Sequence, residues 1–339
     1  MKFGAPLRRL VVAIAACAPA VLVAQPKATG RSDVWRDPAN HKSGFVPISK
    51  DVQLHYLDFG GTGASILMIP GLGNTAHAFD DFAPAFTDRF HVVAMTRRGF
   101  GESSHPSDGY DIKTLVDDIR TVIDRLRLGR VILVGHSIAG EEMTQLAAQY
   151  PDEVSKLVYL DAAYDRVAAD SMIDEVFPVM PEVAPRPEPT AADTATPEAY
   201  VQFVHRTRGV NIPESDIRTR YRYDGWNEEI TTAYQSIGTQ HPPYKQVRAP
   251  ALAIYAVADT VTQLEPWQRA DTEHVTGQQD LLRGIESVER KLRLQFRDEV
   301  PLGSILEIHG GHHWIFVSHR EEVVSAMRKF LLGGADRPL

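Results

Sequence analysis

The chain has 339 residues, 36 Lys+Arg against 44 Asp+Glu, and a formal net charge of −8. With 43% apolar and 24% charged residues it has the make-up of a globular protein long enough to bury a core unaided. One cysteine, Cys17, excludes a disulfide framework or a Cys-rich metal site, and the acidic balance lacks the basic footprint of a nucleic-acid or anionic-membrane binder.

The first residues read as a targeting segment. Lys2, Arg8 and Arg9 precede the apolar run Leu10 to Ala24, which Pro19 breaks and which is too short to span a bilayer well. A secretory signal over residues 1–24 is expected, cleaved after Ala20 or Ala24, with no stable membrane insertion. A rival reading takes Ile14-Ala15-Ala16-Cys17 as a lipobox that tethers the chain through Cys17. Cleavage at either alanine removes the only thiol, which suits a periplasmic or secreted protein.

From about residue 44, strand-like and helix-like stretches alternate. Val52–Phe59 has the mixed polarity of a half-exposed strand, whereas Ser65–Ile69 and His91–Met95 are short apolar runs typical of buried parallel strands. A helix is expected over Ala76–Phe86. Another is expected over Asp111–Leu128, where Ile112, Leu115, Val116, Ile119, Val122, Ile123 and Leu126 recur at helical spacing before Gly129. Strand Arg130–Val134, helix Ser137–Tyr150 and strand Lys156–Leu160 follow. Residues 164–247 break the rhythm with Pro178, Pro181, Pro185, Pro187, Pro189 and Pro197, then many aromatics, and read as an inserted lid with a mobile Pro-rich part. Alternation resumes with Ala251–Tyr255, a helix over Gln278–Phe296, strand Ser304–Ile308 and a last helix over Arg320–Leu332. Alternating elements of this kind specify a mostly parallel sheet covered on both faces.

The strongest chemical signal is Gly135-His136-Ser137-Ile138-Ala139, set between a buried strand and an amphipathic helix. A G-x-S-x-(small) turn there forces the serine onto a tight corner and pushes its hydroxyl out at the top of the sheet. The following helix aims its N-terminus at the site, which favours developing negative charge. Serine needs a base to become nucleophilic. His309, His312 and His313 lie together in the loop between the last strand and the last helix, and a metal reading of the three lacks a H-E-x-x-H pattern.

On these motifs the chain resembles the α/β-hydrolase superfamily from about residue 44 to its C-terminus. The resemblance implies an α/β-hydrolase core over residues 44–163 and 248–335 with the lid, 164–247, inserted between them. Pro70-Gly71-Leu72-Gly73-Asn74 resembles that family's oxyanion loop, which implies the Leu72 and Ile138 amides as the oxyanion hole. Thr96-Arg97-Arg98-Gly99-Phe100-Gly101-Glu102-Ser103 is similar to a family segment of structural role. The family places its base in the loop that holds His312 and His313; His313 fits better, followed eight residues on by Glu321, and His312 is the alternative. The acid usually follows the strand that ends at Tyr255, which implies Asp259, whereas some members carry it after the preceding strand, which makes Asp161 the rival. Glu141 and Glu142 suit the N-terminal turn of the nucleophile helix, with Glu141 a possible lining residue, and Trp314 and Phe316 read as core aromatics or pocket walls.

The expected function is a secreted serine hydrolase that cleaves a small-molecule carboxylic ester through an acyl-enzyme on Ser137, with His313 and Asp259 completing a triad and no cofactor or metal required. Two alternatives stand beside it: a carbon–carbon bond hydrolase using the same triad, and a ligand-binding receptor of the same fold that does no chemistry. The sequence fixes neither the acyl nor the alcohol part of the substrate, nor the oligomeric state.

Overall fold

The computed structural model describes residues 37–223, 230, 234, 236–258 and 264–333. The expected signal, the lipobox and Asp259 lie outside the described residues. Strands β1 (Lys42–Pro47), β2 (Gln53–Gly60), β3 (Ser65–Ile69), β4 (His91–Met95), β5 (Val131–His136), β6 (Val154–Leu160), β7 (Ala251–Val257) and β8 (Gly303–His309) form one sheet in the order β1-β2-β4-β3-β5-β6-β7-β8. The β1–β2 and β2–β4 pairs are antiparallel and every later pair is parallel. β1 escapes sequence pattern because its inward residue Val46 is flanked by exposed ones, as an edge strand allows.

Side-chain alternation along the strands divides the core in two. Leu67, Ile69, Val131, Leu133, Ala251, Ala253 and Tyr255 face one cluster, while Ile66, Met68, Ile132, Val134, Leu252, Ile254 and Ala256 face the other. The first face is covered by helices α1 (Ile112–Arg125), α2 (Ala139–Gln149) and α7 (Val275–Glu299), through Val116, Ile119, Met143, Leu146, Val288, Leu292 and Phe296. The second is covered by α9 (Arg320–Leu332), the turns around Phe79, Phe82 and Phe86, and part of the insertion. Each such side chain taken fully from water contributes about 1.5–3 kcal/mol before entropy is charged.

One element differs from expectation. Residues 76–86 form two short 3-10 turns, Ala76–Phe79 and Ala83–Phe86, in place of a single helix. Pro84 has no N–H to give the preceding turn and crowds its carbonyls, so the helix cannot run through.

Between β6 and β7 the chain carries α3 (Arg166–Val176), α4 (Pro197–Arg208) and α5 (Glu214–Tyr223). Its Pro-rich stretch has no regular element, yet it lies against α7: a Cβ on Gly277 would stand 1.7 Å from the Glu182 carbonyl oxygen. Helix α5 is tied to the loop after β3. The fully buried Asp216 accepts from the Thr75 N–H at 2.8 Å, the Thr75 hydroxyl at 2.9 Å and Asn74 Nδ2 at 3.0 Å. Two further helices, α6 (Pro266–Ala270) and α8 (Ile315–Ser318), flank α7 and β8. Among the described residues no helix is long and apolar enough to cross a membrane.

Candidate active site

Ser137 follows the last residue of β5 and adopts φ +57°, a left-handed conformation that a residue with a Cβ takes only when its surroundings impose it. Packing supplies that constraint. A Cβ on Gly135 would stand 2.1 Å from Met143 Sδ and 2.8 Å from Ala139 Cβ, and one on Gly140 would stand 1.8 Å from the Ala162 carbonyl oxygen. The corner therefore closes only with small residues around the serine. Gly140 N–H donates to the Ser137 carbonyl at 3.1 Å and Glu141 N–H to that of Ile138, which starts α2.

Asp161 stands at the equivalent point of the neighbouring strand β6, also left-handed at φ +49°. Its Oδ1 accepts from Tyr164 Oη at 2.7 Å and from the Ala256 N–H at 3.2 Å, and its Oδ2 pairs with His313 Nδ1 at 2.7 Å. A carboxylate can only accept, so Nδ1 carries the hydrogen and the lone pair of a neutral His313 lies on Nε2. Among the described residues the carboxylate that His313 engages is thus Asp161, the rival in the sequence reading. Glu289 on α7 lies close enough for the Asp161 charge, together with burial, to push its carboxyl above the usual range.

The loop that carries His312 and His313 is fastened beside the serine. His136 Nε2 lies 3.0 Å from the His313 carbonyl oxygen, and the two rings sit 4.5 Å apart. A carbonyl oxygen only accepts, so Nε2 carries the hydrogen; burial, reinforced by His313, holds the His136 pKa well below its ordinary value and keeps the ring neutral. His312 is engaged elsewhere: its Nδ1 accepts the Trp314 N–H at 3.1 Å, and burial lowers its pKa to about 4. Trp314 and Phe316 are core residues, with Phe316 packed on Phe79 and Phe82.

The loop after β3 passes within contact of this corner. A Cβ on Gly71 would meet His136 Nδ1 at 2.7 Å and Ser137 Cβ at 3.3 Å. Arg97, buried with Glu142, aims the loop: Nε bonds Glu142 Oε1 at 2.7 Å, and Nη1 reaches the Pro70 carbonyl oxygen and that of Gly71, the latter at 3.3 Å. In a trans peptide the carbonyl and the following N–H point opposite ways, so drawing the Gly71 carbonyl toward Arg97 turns the Leu72 N–H away from it. Among the described residues neither the Leu72 nor the Ile138 amide donates to a protein acceptor. Leu72 and Ile138 also join one apolar cluster with Phe100, Ile230, Tyr234 and Ile237.

Sequence reasoning assigned Arg97 no chemistry and Glu142 to the helix dipole, and it passed over His136. The Arg-Gly pair in a segment matching a family pattern was the available signal. Glu141, beside Glu142, is buried 3.3 Å from Arg166 Nε, and burial pushes its carboxyl up to about 8.

A family model described as the alpha/beta hydrolase fold matches residues 64–317. A 2-(acetamidomethylene)succinate hydrolase of Mesorhizobium japonicum is 36% identical over 101 residues, 30% of this chain and 36% of that relative, so the chain aligns with about a third of its length. A putative esterase/lipase of Haemophilus influenzae is 21% identical over 276 residues, 78% of this chain and 82% of the relative. Among solved structures, an E-2-(acetamidomethylene)succinate hydrolase superposes with TM-score 0.60 at 21% identity over 87% of this chain and 100% of its own. An esterase from Exiguobacterium antarcticum does so with TM-score 0.59 at 15% identity over 86% and 100%.

Proposed function

The chain belongs to the α/β-hydrolase family, and from that premise we propose that it is a serine hydrolase acting on small carboxylic esters, with Ser137 as nucleophile, His313 as base and Asp161 as the acid that orients it. The observation that carries this reading is the His313–Asp161 pair at 2.7 Å, tied through His136 to the left-handed Ser137 corner. His313 Nε2 takes the Ser137 proton as the hydroxyl attacks the acyl carbon. The Leu72 and Ile138 amides receive the oxyanion, a contribution of roughly 3 kcal/mol per donor in comparable sites. The alcohol leaves with a proton from His313, water then attacks the acyl-enzyme, and the acid departs. The similarity to an esterase/lipase over most of the chain supports ester chemistry, and the apolar cluster around Leu72 and Ile138 supports a partly apolar acyl group. The leader expected from the sequence favours action in the periplasm or outside the cell.

The test is turnover of p-nitrophenyl acetate and butyrate by the wild-type protein and Ser137→Ala, with fluorophosphonate labelling and peptide mapping. Turnover that depends on Ser137, with the label on that residue, is the expected result. A label elsewhere overturns the assignment, and binding of acyl compounds without turnover points to the receptor reading.

A further inference from the structure

A partly buried polar cluster lies where the stretch before β1 meets the first 3-10 turn. Asp37 and His41 come from the former, His77 and Asp80 from the latter. Asp37 Oδ2 is 3.2 Å from His41 Nε2 and 3.0 Å from His77 Nδ1; Asp80 Oδ2 is 2.9 Å from His77 Nδ1, and Asp80 Oδ1 is 3.7 Å from His41 Nε2. One donor atom from each residue lies within 4.8 Å of all the others. A tetrahedral ion with bonds of about 2.0–2.1 Å holds its ligands about 3.3 Å apart, so a small inward shift of these side chains would bring one atom of each into its shell.

Hydrogen bonding alone serves this cluster badly. An imidazole nitrogen carries at most one hydrogen, yet His77 Nδ1 faces two carboxylates and so does His41 Nε2. Asp80, with a side chain 3% exposed, keeps Oδ1 aimed at His41 with no hydrogen-bond partner among the described residues, and His41 Nδ1 is likewise buried without one. An orphaned carboxylate oxygen of this kind is costly unless something positive fills the gap. The surroundings hold the carboxylates in place: the Ser215 hydroxyl donates to Asp80 Oδ2, and the Ala39 N–H donates to Asp37 Oδ1 at 2.9 Å.

We propose that Asp37, His41, His77 and Asp80 form a structural zinc(II) site that clamps the stretch before β1 to the core. Two imidazole nitrogens and two carboxylate oxygens suit zinc, and the two negative charges balance the ion. Magnesium and calcium, which favour all-oxygen shells, are disfavoured. Ser215 lies in the first turn of the same α5 that grips the loop after β3 through Asp216, so zinc also steadies that helix.

The test uses the full chain, stripped with chelator and titrated with zinc(II) against a chromogenic competitor, with cobalt(II) as spectroscopic probe. Equimolar uptake in the presence of excess magnesium, tetrahedral cobalt bands and a zinc-dependent rise in melting temperature are expected. Asp80→Asn and His41→Gln should each weaken zinc binding about 100-fold or more. His41→Gln, on the peripheral stretch, keeps the test decisive should Asp80→Asn fail to fold. Ser137→Ala should bind zinc as the wild type does, so this result is separate from that of the esterase assay. Absence of equimolar uptake by the wild type, or uptake undiminished in His41→Gln, overturns the site.

Discussion

Among the described residues, the Asp161–His313 pair and the Asp37–His41–His77–Asp80 cluster both join carboxylates to imidazoles, and they are finished to different degrees. At Asp161 both oxygens are occupied, Oδ1 by Tyr164 and the Ala256 amide and Oδ2 by His313. At Asp80 one oxygen is held by Ser215 and His77 and the other faces His41 without a hydrogen-bond partner among the described residues. A completed network fixes one ring in one tautomer, which is what an acid–base catalyst needs. An incomplete network of the same residue types has room for one more charge.

The contrast breaks most sharply at the completed end. Ser137→Ala should lower ester turnover by on the order of 10^5-fold while leaving the melting temperature and zinc uptake unchanged; residual turnover near wild type would sink the nucleophile assignment. Asp161→Asn should cost about 10^4-fold in kcat, because the amide offers a hydrogen where His313 already has one and so favours the wrong tautomer. Asp259→Asn is the control, with less than about a tenfold loss expected; the reverse ranking would return the acid to the loop after β7.

Smaller effects sharpen the comparison. Glu142→Ala leaves Arg97 buried without its carboxylate and should destabilise the fold by about 3–5 kcal/mol, measured by urea unfolding. The milder Glu142→Gln should lower kcat with little change in KM as the Leu72 amide loses its aim. Last comes Glu141. The unfolded chain releases this proton near the ordinary carboxyl value and the folded chain keeps it to about 8, so between those values the unfolded state binds fewer protons. Stability should therefore fall as pH rises across that window and level off above about 8. Glu141→Gln should flatten the slope, and an unchanged slope would show that Arg166 already holds the group charged.

The sheet and the Ser137 corner were legible because they are local: apolar runs of strand length, and small residues on either side of a serine. The acid was not. β6 and β7 are parallel neighbours, with Leu160, the last residue of β6, paired to Ile254 and Asp161 just beyond it reaching the Ala256 amide. Spacing alone therefore does not separate a carboxylate after one strand from one after the other. Which one reaches His313 depends on the positive φ of Asp161 and on the partners that orient it, and neither is written in spacing. The Arg97–Glu142 pair and the Asp37–His77 contact span 45 and 40 positions with no periodic signature, so only the folded chain brings them together. Composition gives the proline-rich stretch no element pattern, and the bare face of Gly277 lets its backbone approach α7.

The hydrogen bond from His136 to the His313 carbonyl spans 177 positions of sequence. Such a contact closes a very large loop, and closures of that size come late when a chain assembles. Helices and the early strands can therefore return after denaturant is diluted while Ser137 still lacks His313 beside it. Recovered turnover in a refolding experiment would then lag recovered circular dichroism, making the enzyme a stopwatch for docking of its own C-terminal quarter.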